Sequence, residues 1–332
     1  MGKKHIDGKR EEQVALLASL KSQILENKFG KINSLIFYLA NKRIFEEYFN
    51  GYQADMMHEF QSVTKSIQAL LIGLAIQKKL IANIDIPIKS FFPEYNALDW
   101  SNGKDKITIK HLMQMTAGLA WNEENTSYIS LQNHSNQLAW SKDWIGFALD
   151  MPMSSYPGEK FNYSSANPII ISALLNKIFD GGHELFVQQE LFKPLNIEQY
   201  NYHRSVYNPH ILADVEMLPK DMLKIGRLVQ QKGIWEGNQV VASDWIKEML
   251  ENTIDTNKEN LQYGYFWWHT SLEVNAKHFV VNYAWGYGSQ HIFLVKEIDL
   301  IMVCTGKNYD VNLHEGPFQI LRLLIQIALC HQ

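Results

Sequence analysis

Cysteine is almost absent. The chain has two in 332 residues, Cys304 and Cys330, too few for a disulfide framework. Cys304 lies in the apolar run Leu300-Ile301-Met302-Val303-Cys304, where a buried strand thiol is expected rather than a reactive one. Long hydrophobic runs are missing too: the longest reach about eight residues, against roughly twenty for a membrane helix, so no segment is expected to span a bilayer. Neither sign of charge dominates, with 31 Lys and Arg against 35 Asp and Glu. No basic stripe carries interleaved aromatics, so nucleic-acid and anionic-membrane binding lack support. G-x-S-x-G does not occur, which disfavours an α/β-hydrolase with a Ser-His-Asp triad. Neither H-E-x-x-H nor Cys-x-x-Cys occurs, which disfavours a metal hydrolase. The twelve histidines read mostly as capping or core groups, His111 on a predicted helix among them. Met1-Gly2-Lys3-Lys4-His5 opens a charged N-terminus without a signal-peptide core. That fits a cytoplasmic protein, and a processed periplasmic or exported chain reads the same way.

What is present is organised around Phe60-Gln61-Ser62-Val63-Thr64-Lys65 and the apolar run Ala69 to Ile76 behind it. A segment apolar on nearly every face is a helix surrounded by other structure, here predicted from Val63 to Lys79. Lys65 in its first turn loses hydration, which is tolerated when something pairs with the amine or uses it. Ser62 and Lys65, three residues apart, share one helix face. A partly desolvated lysine acts as a base, and a serine at a helix start has backbone donors beside its hydroxyl. This is the Ser-Lys form of an activated nucleophile; an N-capping serine is the plain alternative. A second copy, Ser101-Asn102-Gly103-Lys104, lies in a polar loop with no apolar helix behind it and is expected at the surface.

Around this helix, spacing predicts a helix over 11–28 and a hairpin of strands 34–39 and 44–49 turning near Asn41-Lys42. Strands are expected at 263–269, 279–283, 291–296 and 299–305, with a closing helix over 315–329. Residues 108–115, 141–150, 168–179, 183–192 and 220–232 read as helices. The expected fold is α/β of the α+β kind: an antiparallel sheet flanked by N- and C-terminal helices, with helices on one face, and an inserted mostly helical domain. The boundaries expected are 1–85 with 226–332 for the sheet domain and 86–225 for the insertion.

Two further stretches carry polar groups on fixed backbone. Tyr163 follows a Pro157-Gly158 turn and precedes a helix, so its phenol either packs or relays a proton. Tyr283-Ala284-Trp285-Gly286-Tyr287-Gly288-Ser289-Gln290 precedes a strand; its glycines mark a hairpin turn or a close approach that aims an N–H at a substrate.

In this order and spacing, over residues 30 to 320, the segments resemble the serine hydrolases of the β-lactamase and penicillin-binding superfamily, nearest its class C-like branch. S-x-x-K matches at Ser62 and Lys65. Y-x-N matches at Tyr163, with Ser165 in place of asparagine. The third motif falls on Ala284-Trp285-Gly286, where only the glycine matches, and Gly286 to Gln290 is similar to the Gly-x-x-Gly-Gln segment of esterase and oligomer-hydrolase members. The resemblance implies a β-lactamase/transpeptidase-like fold and an acyl-enzyme on Ser62, with Lys65 and Tyr163 moving the proton. It implies an oxyanion hole from the N–H groups of Ser62 and Tyr287, and substrate contacts from Ser165, Trp285, Gly286 and Tyr287. One of the adjacent Trp267 and Trp268 is a further pocket residue, since neighbours in a strand face opposite ways. The implied substrate is a small ester or amide, no metal or organic cofactor is called for, and the subunit number stays open. Without Lys or His at 284, β-lactamase or D-aminopeptidase/carboxypeptidase activity ranks behind esterase or amidase activity. A binding module that is acylated but does not turn over is the alternative from another class.

Overall fold

The computed structural model describes residues 2–309 and 315–329, with the side chains of 2–10 left aside. In chain order the elements are α1 (Gly2–Leu25), β1 (Ile32–Leu39), β2 (Lys42–Tyr48), β3 (His58–Glu59) and α2 (Val63–Gln77). Then come α3 (Ile109–Met113), α4 (His134–Trp140), α5 (Trp144–Asp150), α6 (Ala166–Ile178), α7 (Gly182–Val187), β4 (Tyr200–His203), β5 (Asp214–Met217) and α8 (Pro219–Gln230). The last third holds β6 (Ile234–Trp235), β7 (Asn238–Gln239), α9 (Ser243–Glu251), β8 (Ile254–Lys258), β9 (Leu261–Gly264), β10 (Trp267–Val274), β11 (Lys277–Gly286), β12 (Gln290–Val295), β13 (Leu300–Gly306) and α10 (Glu315–Leu329). Cys330 lies outside the described residues.

The chain forms two compact units. The first holds residues 1–63, 216–231 and 269–332; the second holds 64–215 and 232–268. In the first, strands run in the order β2-β1-β13-β12-β11-β10, so the two ends of the chain meet where β1 pairs antiparallel with β13. Ala40 and Asn41 turn the β1–β2 hairpin with both φ values positive, the two-residue turn that suits twisted strands. β12 and β13 are buried at every residue, as strands covered on both faces must be. Side-chain alternation shows what covers them. Ile292, Leu294 and Ile301 touch the place where Gly226 of α8 would carry a Cβ, whereas Phe293 and Tyr283 pack their rings on Phe318 of α10. The sheet therefore carries helices on both faces, not on one, because the unbroken apolar runs of its central strands leave neither face for water.

In the second unit α2 is the buried centre. Gly73 lies so close to the Trp245 indole that a Cβ there would come within 2.1 Å, and Trp245 Nε1 donates to the Ala69 carbonyl at 3.0 Å. These contacts put α2 with the helical unit from Thr64 on, so the unit boundary falls at 63/64 rather than near 85. The expected strand 263–269 is two strands, β9 and β10, separated by Tyr265 and Phe266 at φ 44° and 65°. The break is held in place: Phe266 N–H donates to Met113 O at 2.9 Å, and Phe266 O accepts from Ser66 Oγ at 2.6 Å. Lys104 is buried at 4% exposure rather than lying at the surface, because its amine donates to the Leu149 carbonyl at 2.9 Å. His111 caps α3 as expected, its Nδ1 accepting from Thr108 N–H at 3.1 Å. No helix among the described residues is long and apolar enough to cross a membrane.

Candidate active site

Ser62 ends a short segment of the first unit whose backbone is constrained from both sides. Gln61, just before it, has φ 52°, a left-handed conformation uncommon for a residue with a side chain. Against it lies the end of β11. A Cβ on Gly286 would sit 2.3 Å from the Phe60 carbonyl and 3.0 Å from Gln61 Cβ, so the close approach needs glycine. Residues 287–289 then turn the β11–β12 hairpin, with Gly288 and Ser289 at positive φ. The Tyr287 hydroxyl donates to the Tyr309 carbonyl. Tyr309 Oη and Gln61 Nε2 both donate to Glu59 Oε2, at 3.1 and 2.9 Å, which ties the segment after β13 to the residue before the serine. Gln290 directs its amide to the Gly306 backbone, donating to O at 2.9 Å and accepting from N–H at 3.3 Å. Its role in the Gly-x-x-Gly-Gln stretch is therefore to lock the turn.

Trp285 stands apart from this arrangement. It stacks on His291 with ring centroids 6.3 Å apart, and His291 packs in turn on Phe318. Trp285 thus belongs to the α10 face of the sheet, and Gly286, pointing the other way, meets the segment before Ser62. Ala284 is fully buried and brings no charge.

In the second unit, Lys65 and Tyr163 come together from residues almost a hundred apart in sequence. Both are buried, at 7% and 8% exposure, and Lys65 Nζ lies over the Tyr163 ring 5.2 Å from its centroid. Ser62 precedes Lys65 by three residues of continuous chain, one helical turn. Beside Lys65, Thr64 Oγ1 donates to Asp214 Oδ1 at 2.7 Å and accepts from Val215 N–H at 3.1 Å. Burial raises the Asp214 carboxyl above the ordinary carboxylate range, while the Thr64 hydroxyl, the Val215 N–H and the charges of His203 and Lys65 pull the other way. Tyr163 is walled by aromatics. Its ring stacks on Trp268 at 5.9 Å and meets the edge of Tyr263 at 6.3 Å. Of the adjacent tryptophans, Trp268 is therefore the one beside the phenol.

The backbone of Tyr163 is pinned along its length. Gly158 N–H donates to Thr116 O, Asn162 N–H to Met115 O, and Asn162 Nδ2 to the carbonyls of Leu119 and Trp121. Ser165 donates its N–H and its hydroxyl, each at 2.8 Å, to the two oxygens of Glu123. A substrate contact through the Ser165 hydroxyl competes with that bond. Glu123 was not expected; the clue in the sequence is a carboxylate directly after Trp121-Asn122 in a stretch continuing the apolar loop Thr116 to Leu119.

A family model described as Beta-lactamase matches residues 34–309. Among curated proteins, 6-aminohexanoate-dimer hydrolase of Paenarthrobacter ureafaciens is 21% identical over 223 residues, 64% of this chain and 55% of that protein. Protein flp of Staphylococcus aureus (strain MW2) is 22% identical over 151 residues, 45% of this chain and 29% of that protein. The chain thus spans about half, or less, of the curated relatives it matches. Among solved structures, EstCE1, a hydrolase with promiscuous acyltransferase activity, superimposes with a TM-score of 0.75 at 12% identity, over 96% of this chain and 98% of that one. The D-amino acid amidase of Ochrobactrum anthropi SV3 gives 0.72 at 12% identity, over 96% and 100%. With the family model matched over most of its length and the fold shared, this chain belongs to the Beta-lactamase family.

Proposed function

We propose that the chain is a serine hydrolase that cleaves a carboxylic ester or amide through an acyl-enzyme on Ser62. The observation that carries this reading is the buried Lys65–Tyr163 pair, 5.2 Å from amine to ring centre, one helical turn from a serine that follows Gln61 at positive φ. A buried lysine is costly unless used or paired, and here its neighbours are a phenol ring and the Thr64–Asp214 pair. In the proposed cycle Ser62 Oγ bonds to the substrate carbonyl carbon while its proton passes to Lys65. The oxyanion collects on the N–H groups of Ser62 and Tyr287, a contribution of about 3 kcal/mol per donor. Collapse breaks the bond to the leaving group, which takes a proton from Tyr163 as Lys65 passes the serine's proton on to that phenol, and water then releases the acyl group by the reverse relay. Trp268 and Tyr263 form the apolar wall behind Tyr163.

The relatives' names, a dimer hydrolase, an amidase and a hydrolase with acyltransferase activity, agree with acyl chemistry of this kind. The buried Ala284 supplies no cation for a β-lactam carboxylate, which favours neutral esters and amides over antibiotics. A panel of p-nitrophenyl esters, D-amino-acid amides, 6-aminohexanoate dimer and a chromogenic cephalosporin tests the reading. Ester or amide turnover is expected to fall about 10³-fold or more in Lys65→Ala, the scale of losing a general base and its proton relay. Cephalosporin turnover above ester turnover, or a fully active Lys65→Ala, contradicts it.

A further inference from the structure

Glu123 is a buried carboxylate, 3% exposed, that the proposed cycle does not use. Its oxygens accept four hydrogen bonds. Oε2 takes Trp121 Nε1 at 2.7 Å and Ser165 N–H at 2.8 Å; Oε1 takes Tyr128 Oη at 3.1 Å and Ser165 Oγ at 2.8 Å. An ionised carboxylate accepts and never donates, at about four lone-pair sites, so this donor set fits the ionised form in full. All four of these donors are neutral groups. Such an arrangement is costly to keep in a loop with nothing to organise.

What it organises is the start of α6. Ser165 stands two residues beyond Tyr163, and because its hydroxyl goes to Glu123, the adjacent Ser164 Oγ takes the Ala166 N–H at 3.1 Å. The same loop is closed on itself: Asn133 Nδ2 donates to the Glu123 and Thr126 carbonyls at 3.0 and 3.1 Å. Tyr128 feels both partners, its hydroxyl made a weaker acid by burial first, then by the Glu123 carboxylate and Tyr163. The other titratable groups near the clamp are His134, whose ring meets Trp121 at 5.4 Å and whose Nδ1 accepts from Asn122 N–H at 2.9 Å, and Glu124, which is paired with Lys258 at 2.9 Å; Lys65 and Tyr263 lie against Tyr163.

We infer that Glu123 is the positioning residue for Tyr163: its carboxylate clamps Ser165 and the 121–133 loop, and fixes a negative charge beside the Lys65–Tyr163 pair. This rests on the acyl-enzyme reading above. Glu123→Gln keeps the shape but turns one acceptor oxygen into a donor facing donors, and it removes the charge.

The test is the pH dependence of p-nitrophenyl ester hydrolysis by the full chain carrying Glu123→Gln, Ser165→Ala or Ser62→Ala, each checked by circular dichroism. Glu123→Gln is expected to lower kcat by about 20-fold or more with KM changed by less than about 3-fold. The acid limb of kcat/KM should move to lower pH, because a base without a neighbouring anion loses its proton more readily. Ser165→Ala keeps the charge, so kcat should fall by about 3- to 10-fold with the limb unmoved. A folded Glu123→Gln with unchanged kcat and an unmoved limb overturns the inference while leaving the acyl-enzyme reading intact. Should Glu123→Gln not fold, unchanged kcat in both Ser165→Ala and Tyr128→Phe overturns it equally. Turnover retained in Ser62→Ala removes the acyl-enzyme reading and the inference with it.

Discussion

Single residues decide whether the backbone around Ser62 can take its conformation. Gly286 is the sharpest case, since a Cβ would need to stand 2.3 Å from a main-chain carbonyl, and main chain yields less readily than a flexible side chain. Gly286→Ala is expected to push the end of β11 off the Phe60–Gln61 segment, lowering kcat/KM by about 10-fold or more and stability by about 1–3 kcal/mol. Ester kinetics and a urea midpoint check both. The close approach was legible as one of two readings of the paired glycines before a strand, the other being a plain hairpin turn. The stacking of Trp285 on His291 was not legible, since strand alternation fixes a side chain's face only once register is known, and its pairing with His291 directs it to the α10 side. The bond from the Ser165 hydroxyl to Glu123 was not legible for a similar reason. Its partner, Glu123, lies 42 residues away, and a contact so distant leaves no periodic trace in the chain.

At the scale of elements, α2 is the piece the sequence displays most clearly and the one on which packing bears hardest. Its apolar run is buried from Val63 to Ala75 apart from polar positions that are themselves buried. Gly73 is the tightest point, facing the Trp245 indole. In an exposed helix Gly to Ala is worth about +1 kcal/mol of stability. Here the methyl has no room, so Gly73→Ala should instead destabilise by about 2 kcal/mol or more, read as a lowered Tm. A raised Tm would mean the indole moves aside. Helices with one apolar face were readable, and α6, α8 and α10 begin and end within a few residues of expectation. The short α4 and the two-residue strands β3, β6 and β7 were not, because two to seven residues hold too few periods to stand out. The break between β9 and β10 was likewise hidden: Tyr265 and Phe266 look like strand residues, and only hydrogen bonds from Met113 and Ser66 show why the chain bends there.

For the molecule as a whole, two buried histidines contribute most visibly to its response to acid. Burial lowers His58 to about 4, with Lys307 adding to the effect, and lowers His183 to about 3. Each unfolded histidine binds its proton near 6.5, so between that pH and the folded values the unfolded chain holds more protons. Stability is then complete above pH 6.5 and falls as pH drops toward 4, by an amount on the order of 3 kcal/mol for each histidine. Urea midpoints at pH 7.5, 6, 5 and 4 check this, and His183→Gln should flatten the slope; a midpoint constant down to pH 4 contradicts it. The pairing of the first strand with the last was foreseeable, since the N-terminal hairpin could not complete a sheet alone. The covering of both sheet faces follows from the uninterrupted apolar strands near the C-terminus. The direct test of the central claim is mass spectrometry after treatment with a fluorophosphonate, followed by peptide mapping. One adduct per chain on Ser62, with both adduct and ester turnover lost in Ser62→Ala, is the predicted result. An adduct on another residue, or turnover that persists in Ser62→Ala, contradicts it.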